Sequence, residues 1–346
     1  MSEKNTAVKF DHVKKYFTKS TGLFSHSTLK AVDDISFEIK EGEILAVVGE
    51  SGCGKSTLAK MLCRLHDVTE GHIYVNGEEI SGKLSRKKER EFRGKVQMIF
   101  QDPFGSLNPA HKVSYIVGRA VELHNPGISK KEVRRKVEEL FETVGLTPPA
   151  DFMEKHPNQL SGGQRQRIVI ARALAVEPSI MVADEPTSML DVSIGIEIMN
   201  LMMELKEKKK LTYLYITHNL ASARYMADRM VVIYAGNCVE EGEMEDVLQQ
   251  PLHPYTILLL NSTPEPFREE QLEIHASEDL PDLTGPMNLC PFSSRCPKAS
   301  ERCRTQKPPV YQVGRRKVKC FLYENAQTEA DVKLDAEIYQ EAGDAG

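Results

Sequence analysis

The feature that most constrains this chain is a glycine-rich loop between a buried strand and a helix. Residues 49–56 read Gly-Glu-Ser-Gly-Cys-Gly-Lys-Ser and fit the pattern G-x-x-x-x-G-K-[ST], directly after the apolar run 44–48. Such a loop wraps its backbone N–H groups around phosphates, and the following helix adds the positive end of its dipole. We therefore predict an ATP site in which Lys55 reaches the β- and γ-phosphates and the Ser56 hydroxyl binds Mg²⁺. The residues predicted to line the nucleotide here are Gly49, Ser51, Gly52, Cys53, Gly54, Lys55, Ser56 and Thr57.

The composition excludes several classes of function. The 346 residues include 45 Lys and Arg against 50 Asp and Glu, a net charge of −5, whereas a dedicated nucleic-acid binder usually carries a basic stripe. No run approaches the roughly 18 consecutive apolar residues of a membrane-spanning helix, and the N-terminus lacks the apolar region of a signal peptide. An odd number of cysteines, 7, favours a reducing compartment. We expect a cytoplasmic protein that does not act on nucleic acid.

The hydrophobic pattern predicts an α/β fold. Short β-branched runs alternate with helical patterns, which is typical of a mostly parallel sheet covered by helices. By contrast, Ile35, Phe37 and Ile39 alternate with polar residues and predict a half-exposed, antiparallel strand. Further buried strands are predicted at 180–183, 213–216 and 230–233.

Helix signals and proline content divide the chain. Ser129 and Glu132 form a capping-box pattern at the start of an amphipathic helix, within a predicted helical subdomain of about residues 102–176. Ten of the 18 prolines fall between Pro251 and Pro309, so the last quarter of the chain differs from the rest. The predicted regions are a nucleotide-binding domain, 1–263, and a C-terminal regulatory or cluster-binding extension with its tail, 264–346.

Polar residues that end two buried strands supply groups for hydrolysis. Asp184 and Glu185 follow the strand 180–183. Asp184 is predicted to complete the Mg²⁺ coordination, and Glu185 to polarise the attacking water. His218 ends the strand that follows, from where an imidazole could contact a γ-phosphate.

A second anion site is predicted at the start of another helix. Residues 160–167 read Leu-Ser-Gly-Gly-Gln-Arg-Gln-Arg, with Ser161 as N-cap and Gly162 and Gly163 exposing N–H groups at the positive helix end, followed by Gln164. A monomer cannot easily bring both anion sites to one phosphate, so the pattern favours a head-to-tail pair. These residues strongly resemble the signature of the nucleotide-binding subunits of ABC transporters. In that family the signature closes over ATP held by the partner's phosphate loop.

The resemblance extends position by position. It implies that Gln101 contacts Mg²⁺ or the attacking water and senses the membrane subunits, and that Asp191 is the aspartate that follows the catalytic glutamate at the dimer interface. It also implies that Tyr16 stacks on adenine and that Val32 packs against the same ring; the alternative for Tyr16 is a surface tyrosine. Two residues depart from the family pattern without removing a catalytic group: Asn219, where aspartate is usual, and Met189, where alanine is common.

Longer motifs narrow the resemblance to the ATPases of dipeptide, oligopeptide and nickel importers, most closely the second of the two ATPases of such importers. The motifs are residues 97–109, 183–187, 190–193 and 251–256, together with the insert 22–24. The resemblance, over about residues 5–323, implies a P-loop NTPase of the ABC ATPase fold. That fold has a mostly parallel core, an antiparallel β subdomain and a helical signature subdomain, here with a small Cys/Pro-rich C-terminal extension.

The same resemblance implies the partners and the location of the chain. It predicts an ATP-hydrolysing motor on the cytoplasmic face of the membrane that pairs with a second ATPase subunit in a heterodimer. Two membrane permease subunits and an extracytoplasmic binding protein complete the importer. Di- or oligopeptides are the expected cargo, with nickel chelates and oligosaccharides as alternatives. A soluble ABC ATPase outside transport is a further alternative, but such proteins usually fuse two cassettes or insert a coiled coil. A redox-sensing protein with a vestigial nucleotide fold is disfavoured by the intact catalytic residues.

Four cysteines lie close together in the C-terminal region. Cys290, Cys296, Cys303 and Cys320 have spacings of five, six and 16 residues. Zinc sites usually contain a closer pair of cysteines, which is missing here, and disulfides are disfavoured in a reducing compartment. Four thiolates on wide loops suit an iron–sulfur cluster, and some related ATPases carry one in a similar region. We predict a [4Fe–4S] cluster, with zinc or free thiols as alternatives.

Overall fold

The computed structural model describes residues 5–20, 26–262, 284 and 288–326. Its strands are β1 (Thr6–Ser20), β2 (His26–Lys40), β3 (Ile44–Val48), β4 (Glu70–Val75), β5 (Glu78–Glu79), β6 (Val96–Ile99), β7 (Ile180–Asp184), β8 (Thr212–Thr217), β9 (Arg229–Tyr234), β10 (Asn237–Glu243), β11 (Tyr311–Val313) and β12 (Arg316–Val318). Its α-helices are α1 (Lys55–Leu62), α2 (Arg86–Lys95), α3 (Pro103–Ser106), α4 (Val113–His124), α5 (Lys130–Thr143), α6 (Ala150–Met153), α7 (Gly162–Leu174), α8 (Val192–Lys209), α9 (Leu220–Met226), α10 (Met244–Gln249), α11 (Pro254–Asn261) and α12 (Glu301–Thr305). Among the described residues, no helix has both the length and the apolar character needed to span a bilayer.

The chain folds into two compact units that each draw on several stretches of sequence. The first unit comprises the described parts of Met1–Ala7, Ile39–Glu43 and Gly82–Ile216. The second comprises the described parts of Val8–Glu38, Ile44–Ser81 and Thr217–Gly346. Because the chain enters each unit more than once, residues far apart in sequence meet inside each of them.

The first unit combines parallel strands with a group of helices. Strands β6, β7 and β8 lie side by side in that order and are parallel, and every residue of β7 and β8 is buried. Such burial explains the continuous apolar runs, because strands covered on both faces have no solvent side. Helix α5 begins at the capping box of Ser129 and Glu132, as predicted, and packs with α4 and α7.

The second unit contains two groups of strands. One is ordered β2-β1-β4-β5, with β1 antiparallel to β4. Strand β2 buries Ile35, Phe37 and Ile39 and exposes the residues between them, which confirms the predicted alternation. The other group runs β11-β12-β10-β9-β3, in which only the pair β3–β9 is parallel.

The parallel core is therefore confirmed for β6–β8 and for β3–β9, and the α/β class is confirmed with mixed sheets. The antiparallel strands β11 and β12 were not predicted, since their short polar sequences lack an apolar run. They are held instead by hydrogen-bonded ladders such as Glu240 opposite Val318. The fully buried Phe292 packs in the same unit against the aromatic rings of Tyr234 and Tyr255.

Candidate functional site

The predicted phosphate loop lies in the second unit between β3 and α1. Gly49 and Gly54 have positive φ angles of 151° and 109°. A Cβ atom on Gly49 would lie 2.2 Å from the carbonyl oxygen of Ile233, and one on Gly54 would lie 2.3 Å from that of Ala31. Only glycine fits both positions, because neither contact is with a side chain that could move away. The loop is thus packed on its inner side against two strands, while Ser51 and Gly52 are exposed.

Lys55 is the first residue of α1 and is nearly buried. Its ammonium group donates hydrogen bonds to the carbonyl oxygens of Gly49 and Glu50, both at 2.8 Å. The positive charge therefore lies within the loop, where the motif requires it. Ser56 and Thr57 follow in the first turn of the helix and are partly exposed, which places both hydroxyl-bearing residues at its positive end.

Cys53 belongs to the loop but its thiol faces the interior. The residue is 6% exposed, and its sulfur lies 3.9 Å from the Lys55 ammonium. Burial raises the pKa of the Cys53 thiol above its ordinary value, although the nearby ammonium opposes this effect. The sequence placed Cys53 among the nucleotide-contacting residues; its backbone lies in the loop, and its side chain supports the loop from within.

The predicted adenine-side residues occupy β1 and β2 of the same unit. The Tyr16 hydroxyl donates a hydrogen bond to Asp33 Oδ1 at 2.5 Å, and its backbone N–H donates to Thr69. Burial, together with this carboxylate, raises the pKa of Tyr16. Val32 is fully buried, and its Cγ2 atom lies 3.5 Å from the position of a Cβ atom on Gly54. Tyr16 is thus partly exposed and anchored, whereas Val32 lies behind the phosphate loop; their contacts with adenine stay predictions.

The phosphate loop also has contacts that the sequence reasoning missed. The backbone N–H of Glu50 donates to the hydroxyl of Tyr255 at 2.8 Å. The Glu50 carboxylate accepts hydrogen bonds from Arg295 at 3.1 and 3.2 Å. Tyr255 falls in the motif 251–256 that carried the family resemblance, so one of these contacts had a signal in the sequence; Arg295 had none.

In the first unit, Asp184 ends β7 and Glu185 follows it. Asp184 is buried, whereas Glu185 is partly exposed and adopts a left-handed backbone with φ 48°. This conformation costs a non-glycine residue roughly 1–2 kcal/mol, so the neighbouring contacts must hold it. The Glu185 N–H donates to the carbonyl of Ile216 at 2.9 Å, and its carboxylate accepts a hydrogen bond from Gln101 Nε2 at 2.8 Å. The structure therefore brings together two of the predicted catalytic residues, Gln101 and Glu185.

The predicted signature forms the start of α7 in the same unit. Ser161 Oγ accepts from the N–H of Gln164 at 3.2 Å, and the Gln164 side chain accepts from the Ser161 N–H at 3.1 Å, which completes a capping box. A Cβ atom on Gly163 would lie 2.6 Å from the Ile194 side chain, and one on Gly162 would lie 3.1 Å from Leu190. The two glycines thus allow the segment that leads into α8 to pack on the signature.

Asp191 precedes α8 beside the signature glycines and is exposed. Three large apolar side chains close to it in sequence are exposed, with exposed fractions of 51% for Met189, 80% for Val192 and 43% for Ile196. Exposed apolar residues that cluster in this way mark a surface for another protein. The first unit therefore presents an apolar patch next to a helix end that favours anions.

His218 follows β8 and belongs to the second unit, where it is exposed. The next residue, Asn219, caps α9 by accepting a hydrogen bond from the Ser222 N–H at 3.1 Å. Asparagine caps a helix about as well as aspartate, which explains why the family's usual aspartate can be replaced here.

The four C-terminal cysteines also belong to the second unit. Cys290 and Cys320 are buried, and Cys296 and Cys303 are partly buried. Burial, reinforced by the neighbouring Cys303, raises the pKa of Cys290 to about 12 and that of Cys296 to about 11. Burial also raises the pKa of Cys320, with smaller contributions in the same direction from the other three thiols. Cys290, Cys296 and Cys303 belong to one apolar cluster, in which the Cys290 N–H donates to the carbonyl oxygen of Cys303 at 2.9 Å. Nevertheless, within the described stretches no group of three or more His, Cys, Asp and Glu side chains has the arrangement of a metal site.

Comparison with known proteins identifies the two parts of the chain. Residues 32–188 match the family model described as ABC transporter, and residues 239–303 match the one described as oligopeptide/dipeptide transporter, C-terminal region. The oligopeptide transport ATP-binding protein OppF of Bacillus subtilis is 48% identical over 266 residues, which are 77% of this chain and 84% of that protein. The di/tripeptide transport ATP-binding protein DppF of Pseudomonas aeruginosa is 41% identical over 308 residues, 88% of this chain and 94% of the relative.

Solved structures show the same fold. The dimeric, post-hydrolysis ATP-binding cassette MJ0796 with ADP and Pi is similar, with a TM-score of 0.61 and 31% identity over 68% of this chain and 98% of the cassette. The cbiO1 protein of Clostridium perfringens, part of an ABC transporter complex, has a TM-score of 0.61 and 27% identity over 75% of this chain and 95% of its own. The predicted ABC ATPase fold is confirmed by these similarities.

Proposed function

Because the chain belongs to the ATP-binding subunits of ABC transporters, in the branch with the oligopeptide/dipeptide C-terminal region, we propose that it hydrolyses ATP to drive the import of di- or oligopeptides. One observation carries the proposal: a complete phosphate loop and a capped signature helix share the chain with a C-terminal region matched by peptide-transporter ATPases. The first two features supply the motor, and the third indicates the type of importer.

ATP binding rests on the residues of the second unit. The N–H groups of residues 49–54 and the ammonium of Lys55 bind the phosphates, and Tyr16 stacks on the adenine. The proposed Mg²⁺ ligands are a hydroxyl, an amide oxygen and a carboxylate, from Ser56, Gln101 and Asp184. Their chemistry fits this ion, because Mg²⁺ prefers hard oxygen donors and keeps several waters.

Hydrolysis rests on Glu185, supported by Gln101. The carboxylate of Glu185 orients and polarises the water that attacks the γ-phosphate, and His218 contacts that phosphate. The hydrogen bond from Gln101 fixes one oxygen of the Glu185 carboxylate and so limits the rotation of the group that is proposed to orient the water. Orienting a nucleophile in this way is the main contribution that a protein can make to phosphoryl transfer.

ATP binding in this family joins two ATPase subunits, and we propose a heterodimer with a related chain. The exposed apolar patch of Met189, Val192 and Ile196 beside the signature supports this surface as the contact with the partner. Ser161 and Gln164 would then place the positive end of α7 near the partner's nucleotide. Asp191 lies on the same surface.

The remaining parts of the importer are separate chains. Two membrane permease subunits form the channel, and an extracytoplasmic binding protein delivers the substrate; the ATPase acts at the cytoplasmic face. In this proposal residues 1–263 are the motor domain and 264–346 an extension with its tail.

We propose that the extension holds a [4Fe–4S] cluster on Cys290, Cys296, Cys303 and Cys320. The hydrogen bond from the Cys290 N–H to the Cys303 carbonyl oxygen and the packing of Cys290, Cys296 and Cys303 in one apolar cluster support a common site, although the described side chains are not arranged as ligands. Bound as thiolates, they would give the proline-rich segment a fixed anchor. Anaerobically purified protein should then be brown, with about four iron and four sulfide per chain. Stoichiometric zinc without iron, or four free thiols, would contradict the cluster.

Substrate uptake tests the proposal most directly. Cells that lack the coding gene should lose uptake of labelled di- and oligopeptides, and the wild-type chain should restore it, whereas Lys55→Ala should not. If loss of the gene abolished the uptake of nickel or of oligosaccharides and left peptide uptake unchanged, that compound would be the substrate in place of peptides. A chain that purifies without membrane subunits and leaves all uptake unchanged would favour a soluble ATPase.

A further inference from the structure

The cysteine-rich segment carries a cation that contacts the phosphate loop. The guanidinium of Arg295 donates to both carboxylate oxygens of Glu50 at 3.1 and 3.2 Å, and it lies over the rings of Tyr234 and Phe292 at 5.7 and 5.8 Å. Only 11% of the Arg295 side chain is exposed. Packing on two aromatic rings limits its rotamers, so the charge is fixed in place before any ligand arrives.

Glu50 is the only acidic residue of the phosphate loop 49–56. Its backbone N–H is fixed by Tyr255, and its carbonyl oxygen accepts from the Lys55 ammonium at 2.8 Å. The Glu50 carboxylate therefore belongs to the same loop as the ammonium that is proposed to bind phosphate. A negative charge in a loop built for anions opposes ATP binding unless a cation neutralises it, and Arg295 is that cation.

A second cation from the same segment contacts the adenine side. Lys307 Nζ lies 2.6 Å from Asp33 Oδ2, and Asp33 Oδ1 accepts the hydrogen bond of the Tyr16 hydroxyl. Asp33 is only 4% exposed, and its N–H donates to the carbonyl of Gly236 at 2.7 Å. A buried carboxylate needs a partner charge, so Lys307 stabilises the group that anchors Tyr16.

The two cations lie on either side of two cysteines along the chain. Arg295 precedes Cys296, and Lys307 follows Cys303 by four residues. The N–H of Cys290 donates to the carbonyl oxygen of Cys303 at 2.9 Å, which closes the segment 290–303 into a loop. The position of both cations therefore depends on how this segment folds.

We propose that Arg295 and Lys307 are positioning residues for ATP, so that the segment 290–307 sets the nucleotide affinity of the chain's own site. Arg295 acts on the phosphate end by neutralising Glu50, and Lys307 acts on the adenine end through Asp33 and Tyr16. The inference rests on the proposed nucleotide site. It adds that residues of the C-terminal region, more than 200 positions from the phosphate loop in sequence, contribute to the affinity of this site for ATP.

Equilibrium binding of ATP and of AMP to the full 346-residue chain, with Mg²⁺, tests the phosphate end. Arg295→Met should raise the ATP Kd by roughly three- to tenfold, the range of one ordinary hydrogen bond, and should change AMP binding much less. The double variant Arg295→Met/Glu50→Gln should have an ATP Kd within about twofold of that of Glu50→Gln alone, since neither chain then contains an unpaired Glu50 carboxylate. Arg304→Met, an exposed arginine of the same segment, is the matched control.

The adenine end has a different signature. Lys307→Met should weaken ATP and AMP by a similar factor, because both ligands carry the base that Tyr16 contacts. If Arg295→Met does not fold, Arg295→Lys should fold and raise the ATP Kd by no more than about threefold, since the charge is kept although the packing of the planar guanidinium on the rings is lost. Thermal unfolding of each variant separates loss of fold from loss of affinity.

The proposal is overturned if Arg295→Met and Lys307→Met bind ATP as tightly as Arg304→Met. The role proposed for Arg295 is also overturned if the double variant Arg295→Met/Glu50→Gln binds ATP as weakly as Arg295→Met alone. Failure of the underlying nucleotide site gives another result: Lys55→Ala would then bind ATP as well as the wild-type chain.

Discussion

The side-chain amide of Gln101 donates a hydrogen bond of 2.8 Å to the carboxylate of Glu185, 84 residues further along the chain. Glu185 also has a left-handed backbone and an N–H bonded to Ile216. The carboxylate is therefore oriented from two sides before nucleotide binds. In the proposed role of Glu185 as the group that activates water, a carboxylate held in this way loses little entropy when the reaction begins.

Removal of the amide should slow hydrolysis more than binding. Gln101→Ala leaves the phosphate loop untouched but removes the hydrogen bond of 2.8 Å that Gln101 donates to the Glu185 carboxylate. We expect kcat for ATP to fall roughly 10- to 100-fold, the range found when a partner that orients a catalytic group at a metal site is removed. The ATP Kd should rise by a smaller factor than kcat falls, because the substitution removes one proposed Mg²⁺ ligand but leaves Lys55, Ser56 and Asp184 in place. Steady-state ATPase rates and equilibrium binding on the same preparation check both, and an unchanged kcat would show that Gln101 does not position Glu185.

Lys55→Ala and Ser161→Arg should both abolish turnover, for different reasons. The first removes the ammonium that binds phosphate on the same chain. The second should leave ATP bound at the chain's own loop but prevent closure on the partner's nucleotide. Ser129→Arg is a matched control, because Ser129 forms the equivalent capping box on a different helix, α5. If Ser161→Arg lost ATP affinity in the isolated chain while Ser129→Arg kept it, the cross-dimer role would be wrong.

Cys53 should be a poorly reactive thiol. Because burial raises its pKa, less thiolate is present at a given pH, and the rate of alkylation should keep rising above the pH at which an ordinary cysteine levels off. At pH 7.5 we expect iodoacetamide to modify Cys53 at least about tenfold more slowly in the folded chain than in urea. Mass spectrometry of the loop peptide across pH 7–10 checks the profile. Equal rates in folded and unfolded protein would contradict the buried position.

The buried side chain of His253 should make the folded chain less stable as the pH falls. Burial lowers its pKa to about 3 from the ordinary value of 6.5, and its Nδ1 accepts the Tyr255 N–H. Below pH 6.5 the unfolded chain binds a proton that the folded chain rejects, so this residue lowers stability as the pH falls from 6.5 towards 3. The contribution of His253 to the slope of the unfolding free energy against pH reaches about 1.4 kcal/mol per pH unit.

Urea titrations between pH 7 and pH 4 measure that slope. His253→Asn keeps a hydrogen-bond acceptor but cannot take up the proton, so its unfolding free energy should fall less steeply with acid than that of the wild type. His111→Asn, at an exposed histidine, is the control. Parallel slopes for the wild type and both variants would show that His253 is protonated in the folded chain.

The sequence predicted what local patterns determine. The capping boxes at Ser129 and Ser161 involve residues three apart, so their geometry follows from the order of the side chains. The phosphate loop is equally local, because the run of glycines specifies its turns. Contacts across the chain were not predictable in this way: Arg295 and Glu50 are 245 residues apart, and Lys307 and Asp33 are 274 apart. These pairs arise from how the second unit folds, and an arginine in a proline-rich region has no periodicity that indicates its partner.

The rate of ATP hydrolysis by the Glu185→Gln variant tests most directly whether this chain is an ATPase in which Glu185 activates the attacking water. The substitution keeps the size and the hydrogen bonding of the side chain but removes the base. In the transporter assembled with its partners, and with hydrolysis by the second ATPase silenced, ATP binding should persist while hydrolysis falls by about 100-fold or more. When it is purified without the membrane subunits and mixed with the second ATPase subunit, the variant should also accumulate as a closed, ATP-bound dimer, visible by size-exclusion chromatography. Turnover near the wild-type rate under these conditions would contradict the role of Glu185 and the hydrolytic site built around it.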